Sequence, residues 1–164
     1  GTRQTVNPTK GHGIYANGGV LPAPVFTRHH NPYPMLRYPW SQVRASLVAL
    51  SEAHPNEKSV QVEYINPETG DSAQNILGFY ALMIQPGQTL DLPARSPASL
   101  FHAIEGKTKA EISGKTFELN EADTCCAPGY TPVHLHNQDT IRPAFIFIAD
   151  ESPLHRKMGV LETR

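Results

Sequence analysis

The stretch that most restricts the fold is residues 87–137, which read GQTLDLPARSPASLFHAIEGKTKAEISGKTFELNEADTCCAPGYTPVHLHN. Within it, short segments of alternating polar and apolar residues are separated by turn signals. These signals are Gly87, Gly106, Ser113-Gly114, Asn120 and Pro128-Gly129. A period of two is typical of a β-strand with one buried face, and frequent turns join such strands into antiparallel sheets. The stretch therefore predicts an antiparallel β structure.

Strand patterns continue on both sides of this stretch, and eight short strands are predicted in all. They are residues 59–65, 76–84, 88–92, 100–104, 108–112, 116–119, 133–136 and 144–148. One helix precedes them, from an N-cap at Ser41 to Ala53, because Val43, Leu47 and Leu50 recur at helical spacing. Strands without intervening helices predict a sandwich or a closed barrel.

Before the helix, the chain is rich in glycine and proline and has no periodicity. Residues 1–40 are therefore predicted to be an extended arm or interdomain linker, and residues 41–164 a single domain with a leading helix. The chain begins with Gly1-Thr2 rather than a methionine. We expect it to be part of a longer parent.

The composition limits the class of protein and its partners. With 164 residues and 18.0 kDa, the chain has room for one domain. Fourteen Lys and Arg against 15 Asp and Glu give a net charge of -1, which removes the attraction that nucleic acids and anionic membranes need. Cys125 and Cys126 are adjacent and disfavour a disulfide. No signal peptide or membrane span is visible, so a cytoplasmic location is expected.

The order of motifs in residues 87–137 resembles that of cupins. A glycine and a ligand strand lead to the Glu105-Gly106 turn, a hairpin, the Pro128-Gly129 corner and a histidine strand. Further matching segments are Arg37-Tyr38-Pro39-Trp40, residues 64–70 and residues 145–150. Together they resemble the C-terminal cupin domain of gentisate 1,2-dioxygenases and of related hydroxynaphthoate and salicylate dioxygenases, over roughly residues 14–164.

This resemblance implies an all-β fold, an antiparallel cupin barrel (a double-stranded β-helix or jelly roll) with one helix on its N-terminal side. It also implies a parent with two cupins, in which Fe(II) held by three histidines of the N-terminal cupin binds the ring substrate and dioxygen. The partners of this chain would then be the N-terminal cupin of the same parent and further copies of itself in a homo-oligomer.

The resemblance also indicates that this domain is poor in metal ligands. The His-x-His positions of a cupin metal site hold Pro93 and Arg95, the glutamate position holds Ser99, and the last histidine position holds Val133. Proline and valine have no side-chain donor, and a guanidinium repels a divalent cation. A standard metal site is not expected here.

His134 and His136 are the candidate metal ligands of the chain, because residues i and i+2 of a strand project to one face. They would point inward only if a one-residue bulge intervened, and a third ligand is missing. The alternation before Gly106 places His102 on the outward face as well.

Arg95 falls at an inward position, where a buried unpaired charge is costly, so an acceptor must meet it. We expect a cluster of backbone carbonyls, a carboxylate such as Glu105 or Asp123, or a bound anion.

Three functions remain open from the sequence. The first is the structural, metal-poor C-terminal cupin of a gentisate 1,2-dioxygenase-like enzyme. The second is a module that binds a small carboxylate, such as an aromatic acid, through Arg95 and Tyr130, with His134 and His136 nearby. The third is a freestanding metallo-cupin that uses His134 and His136.

Overall fold

A computed structural model describes residues 37–164, which form nine strands and two helices. In chain order the elements are α1 (Trp40–Ala53), β1 (Ser59–Glu63), β2 (Gly78–Ile84), β3 (Thr89–Leu92), β4 (Ser99–Glu105), β5 (Thr108–Ile112), β6 (Lys115–Leu119), β7 (Thr124–Ala127), β8 (Val133–Asn137), β9 (Ala144–Asp150) and α2 (Ser152–Met158). Neither of these helices is long and apolar enough to span a membrane. The predicted arm and linker, residues 1–40, lies outside the described residues except for its last four.

The nine strands form two antiparallel sheets. The first has five strands in the order β1-β2-β9-β4-β7, and the second has four in the order β3-β8-β5-β6. Strands that are distant in sequence lie side by side, as in the pairing of β2 with β9 from Gly78 opposite Asp150 to Ile84 opposite Ala144. The core lies between the inner faces of the two sheets. Its fully buried members include Leu82, Phe101, Leu135 and Ile146.

The outer face of the five-stranded sheet is covered by α1. Leu47 of α1 is completely buried against Ala81, Met83 and Phe145 of the sheet. The Trp40 ring meets the Phe145 ring edge to face, with centroids 5.5 Å apart. The predicted helix is therefore present and packs on the domain, as its apolar stripe indicates.

The predicted fold class is confirmed, but the expectation of a closed barrel is wrong. The sheets remain two separate layers of a sandwich. Three prolines lie at strand ends where hydrogen bonding between the layers would have to continue. Pro93 follows β3, Pro128 follows β7 and Pro132 precedes β8. A proline has no N–H to donate, so the hydrogen-bonded ladders stop at these positions.

Two elements are additional to the prediction of eight strands and one helix. The strand β7 contains Cys125 and pairs with β4. The helix α2 has Pro153 in its first turn, basic residues in its last turn and Gly159 in the left-handed conformation just after it. These are ordinary start and stop signals, in a helix of only seven residues.

The predicted N-cap at Ser41 is also wrong. The helix begins at Trp40, with Pro39 at the cap position and no side-chain capping bond. The Pro39 carbonyl accepts from the amides of Gln42 and Val43 at 3.0 and 3.3 Å. Ser41 therefore lies inside the first turn, because proline with its fixed φ already sets the start of the helix.

Candidate functional site

A cavity of about 270 Å³ lies between the two sheets. Pro93, Arg95, Ser99 and Val133 all line it. These are the four positions at which the resemblance to cupins leads one to expect metal ligands. All four therefore face the same cavity, together with further lining residues.

Strand alternation explains why these positions converge. Pro93 and Arg95 follow β3, Ser99 begins β4, and Val133 begins β8 on its inner face, where Val133 is only 3% exposed. The corner after β7 packs against this region: Gly129 sits against the Ser96 carbonyl so closely that a Cβ would clash with it. Glycine at position 129 is thus needed to hold the wall of the cavity in place.

Arg95 is met by a carboxylate inside the cavity. Its Nη1 donates to Asp150 Oδ2 at 3.1 Å, and its Nη2 donates to Ser152 Oγ at 2.8 Å. The Asp150 side chain is 2% exposed, whereas that of Arg95 is 36% exposed. Asp150 also accepts from the amide of Ser152 at 2.9 Å and from its hydroxyl at 2.7 Å. The buried carboxylate therefore has a hydrogen-bond donor at each oxygen, and the Arg95 side chain is about one-third exposed.

The two carboxylates that the sequence suggested as partners of Arg95 do not reach it. A bulge between Ala103 and Glu105 shifts the register of β4 against β9, and Glu105 accepts from Trp40 Nε1 at 2.7 Å and pairs with Arg44. Asp123 accepts from the amide of Asn120 at 2.9 Å in the turn before β7. The partner comes instead from the end of β9, where alternation through Ile146 and Ile148 places Asp150 on the inner face.

Tyr80 lies beside this ion pair on the inner face of β2 and lines the cavity. Burial, followed by the charges of Asp150 and Glu63, raises the pKa of its phenol, so the hydroxyl stays protonated at neutral pH. Gly78 makes this arrangement possible. A Cβ at position 78 would lie 2.7 Å from the Tyr80 hydroxyl and 3.1 Å from Asp150 Oδ1.

Two more charged residues line the cavity and were not singled out from the sequence. Glu63 at the end of β1 accepts from Ser72 Oγ at 2.8 Å. Arg156 of α2 is exposed, and its guanidinium has no hydrogen bond or ion pair within residues 37–164. The position of Glu63 in the alternating strand 59–63 could have indicated that it faces the cavity. Arg156 could not be placed from the sequence, because the helix that carries it was not predicted.

His134 and His136 lie on the outer face of the four-stranded sheet. They alternate with the buried residues Val133 and Leu135, and no bulge turns them inward. His134 Nδ1 lies 2.5 Å from Asp91 Oδ1, and His136 Nδ1 lies 2.9 Å from Thr89 Oγ1. Neither lines the cavity. Among residues 37–164, no group of three or more His, Cys, Asp or Glu is placed to hold a metal ion.

Tyr130 does not line the cavity. Its side chain therefore does not share a binding site with the side chain of Arg95. Its hydroxyl donates to Glu162 Oε2 at 3.0 Å, and the Arg164 guanidinium lies 4.4 Å from the ring centroid. The hydrogen bond to Glu162 raises the pKa of the Tyr130 phenol. The Tyr130 amide, however, donates to the Arg95 carbonyl at 2.5 Å and so supports the backbone of the cavity wall.

The remaining candidates from the sequence do not meet the cavity's charged groups. His102 lies on the outer face of β4, where Nδ1 is 2.8 Å from Thr124 Oγ1. Cys125 packs against the core, and burial, followed by the neighbouring Cys126, raises the pKa of its thiol to about 11. Such a thiol stays protonated at neutral pH and is a poor nucleophile.

Comparison with known proteins agrees with this architecture. No protein-family model matches the chain. A gentisate 1,2-dioxygenase of Ralstonia sp. is 59% identical over 164 residues, which are 100% of this chain and 46% of that protein. The chain is a homologue of the C-terminal part of gentisate 1,2-dioxygenase. The family resemblance predicted from the motifs is thereby confirmed.

Less similar proteins are also matched over only part of their length. A 1-hydroxy-2-naphthoate 1,2-dioxygenase of Nocardioides sp. (strain KP7) is 24% identical over 159 residues, 96% of this chain and 41% of that protein. The solved salicylate 1,2-dioxygenase of Pseudaminobacter salicylatoxidans superposes with a TM-score of 0.73 at 18% identity, over 94% of this chain and 45% of that one. The chain spans about half the length of the relatives it matches.

Proposed function

We propose that this chain is the metal-poor C-terminal cupin of a gentisate 1,2-dioxygenase-like parent, and that its role there is structural. The observation that carries the proposal is the chemistry of the four ligand positions around the cavity. A ring-cleaving dioxygenase of this kind requires Fe(II) by resemblance, and imidazole nitrogens suit that ion. Pro93, Arg95, Ser99 and Val133 offer no imidazole, so the residues of this cavity do not fit Fe(II).

The permanent charge of Arg95 strengthens this argument. Its guanidinium is held in the cavity by Asp150 and Ser152. A guanidinium has no lone pair to offer a divalent cation, and its positive charge repels such a cation at ligand distance. Ring cleavage in the parent would therefore be performed by the partner cupin, and this domain would supply stability and assembly.

The length of the relatives and the surface of the domain support an assembly role. The chain covers 46% of the Ralstonia dioxygenase, which leaves room for a second cupin in the parent. Ile76 and Met158 are 54% and 64% exposed, and they lie on neighbouring segments because the Leu154 amide donates to the Ile76 carbonyl. Exposed apolar side chains that lie together favour contact with another domain or subunit. The proposal includes homo-oligomerisation of the parent and a cytoplasmic location, with which the free thiols of Cys125 and Cys126 agree.

An assay of metal binding and activity tests the proposal that this domain neither binds iron nor cleaves gentisate. The chain, produced without a histidine tag, is incubated with Fe(II) under anaerobic conditions and desalted, and bound iron and gentisate-dependent oxygen uptake are measured. We expect no iron above that of a protein-free control and no oxygen uptake.

The matched variant for this assay carries His134→Ala and His136→Ala together. Stoichiometric iron in the wild type that this variant loses would contradict the proposal and would assign a metal site to the outer face of β8. Oxygen uptake that the variant retains would also contradict it, since the reaction would then use other residues of this chain.

A further inference from the structure

We propose that the part of the outer face of the five-stranded sheet that α1 leaves uncovered is an interface with a second copy of this chain. The interface is an apolar patch of four residues, Phe79, Leu100, Phe147 and Ala149, on β2, β4 and β9. The inference rests on the assembly role proposed above, and it names the surface and the partner. It does not depend on the metal content of the domain, so the two proposals can fail separately.

The register of the strands places the four patch residues side by side. Phe79 of β2 lies opposite Ala149 of β9, and Ala149 lies opposite Leu100 of β4. Phe147 is two residues before Ala149 and therefore on the same face of β9. Its ring stacks on that of Phe79, with centroids 5.8 Å apart. The patch is thus continuous across three neighbouring strands.

The helix α1 covers only the adjoining part of this face. Beneath it, Ala81, Met83 and Phe145 are 0%, 6% and 1% exposed. The four patch residues are only partly buried. Within residues 37–164 they belong to neither of the two core clusters. The patch therefore differs from the rest of the face in having no such cover from the described elements.

The outer faces of the two sheets differ in polarity. Eight polar residues occupy the outward positions of the four-stranded sheet: Thr89, Asp91, Lys109, Glu111, Thr116, Glu118, His134 and His136. On the five-stranded sheet, Glu105 reaches the outer face through the bulge, but it is paired with Arg44 of α1, and the patch itself contains no charge. A sheet face that meets water is normally polar, whereas an apolar face is normally covered. We therefore expect another surface to bury the patch.

The absence of charge favours the same patch of a second copy as that surface. In a contact with two-fold symmetry, a residue near the axis meets its own counterpart, so a charged patch would repel itself and an uncharged one does not. The shape also agrees, because sheets stack face to face about 10 Å apart. Ala149 lies on the middle one of the three strands, and its short side chain permits close approach. The axis is therefore placed near Ala149.

The first test is sedimentation of the full chain over a range of concentrations. We expect self-association to a dimer with a dissociation constant of about 100 µM or tighter. In NMR spectra over the same range, the methyl signals of Leu100 and Ala149 should shift, whereas those of Ile141, which is 84% exposed, should not. Weaker association overturns the inference. So does a dimer that leaves the signals of Leu100 and Ala149 unshifted.

The deciding variants are Ala149→Glu and Ala149→Lys, which each place one charge at the centre of the patch. Each alone should weaken the dimer at least about tenfold, because like charges then meet across the axis. An equimolar mixture of the two should associate more tightly than either alone, since opposite charges then meet. The matched controls, Thr116→Glu and Thr116→Lys on the outer face of β6, should associate as the wild type does.

Circular dichroism shows whether the variants are folded. If those at position 149 are not, Leu100→Gln decides, since it removes apolar surface without adding charge and should also weaken the dimer about tenfold. Equal effects of the substitutions at positions 149 and 116 overturn the inference, as does a mixture that associates no more tightly than its components. A monomeric chain contradicts this interface alone, whereas iron binding by the wild type contradicts only the metal-poor role proposed above.

Discussion

Arg95 places a permanent charge at the position where a cupin metal site would have a neutral ligand, and Asp150 makes that charge tolerable. The two side chains are 55 residues apart in sequence, and they meet because β4, which begins shortly after Arg95, pairs with β9 so that Ser99 lies opposite Asp150. Asp150 is the more dependent partner, because its side chain is 2% exposed while that of Arg95 is 36% exposed. Removing Arg95 would leave a buried carboxylate with Ser152 as its remaining hydrogen-bond donor.

We therefore expect Arg95→Leu to lower the free energy of unfolding by about 2 to 3 kcal/mol. This loss is at or below the smallest losses typical of breaking a buried ion pair. It is small because Ser152 still donates hydrogen bonds to Asp150 and because Arg95 is partly hydrated. Adding Asp150→Asn should recover part of the loss, since the amide carries no charge. Urea unfolding measures both. The control is Arg142→Leu, whose side chain is 80% exposed in its pair with Asp139, so its loss should lower stability much less. Equal losses from the two arginine variants would contradict the dependence of Asp150 on Arg95.

At the scale of single elements, β7 separates two chemically identical neighbours. Cys125 faces the core and Cys126 faces outward, because successive residues of a strand point to opposite faces. Burial raises the pKa of the Cys125 thiol to about 11. At pH 8 only about one Cys125 thiol in a thousand would be a thiolate, and the thiolate is the reactive form.

Iodoacetamide at pH 8 should therefore alkylate Cys126 much faster than Cys125 in the folded chain. Because the pKa of Cys125 is raised, its thiolate fraction increases only as the pH approaches 11. Mass spectrometry of the Cys125→Ser and Cys126→Ser variants measures each thiol by itself. In urea the two rates should converge, and a folded Cys125 that reacts as fast as Cys126 would show that β7 is not placed as described.

The strands and helices also show which features could be predicted from the sequence and which could not. Alternation correctly placed Phe101 inward and His102 outward, because one side of each strand must be buried for the sheets to pack. Alternation could not place Glu105, since a bulge is an irregularity of pairing that depends on the partner strand. The partner of Arg95 was unpredictable for a related reason: the register between distant strands decides which carboxylate arrives beside it. A short helix such as α2 has too few periods for its apolar pattern to be recognised.

At the scale of the whole molecule, the two sheets are separated by the cavity at one end of β8 and are joined by hydrogen bonds at the other. Val133 at the start of β8 lines the cavity, whereas Asn137 at its end is fully buried. The side-chain Nδ2 of Asn137 shares its two N–H donors among the carbonyls of Ile84, Gln85 and Arg142, at 3.2, 3.2 and 2.9 Å. This one side chain joins the four-stranded sheet to the end of β2 in the other sheet.

We expect Asn137→Ala to lower the free energy of unfolding by about 2 to 4 kcal/mol, because buried carbonyls lose their donor and a small cavity is left. Gln138→Ala, an exposed neighbour, is the control and should change stability by no more than about 0.5 kcal/mol. Denaturant unfolding measures both variants. A loss from Asn137→Ala no larger than that of the control would mean that this end of the sandwich is held by other contacts.

The ion pair in the cavity has a consequence for how such a domain can change over time. A histidine at position 95 would supply a metal donor, but it would leave the Asp150 carboxylate without its guanidinium before any complete set of ligands existed. Each single step toward a metal centre would therefore lower stability first and gain affinity only several substitutions later. The pairing of Arg95 with Asp150 therefore makes any single substitution at position 95 toward a metal ligand unfavourable for stability.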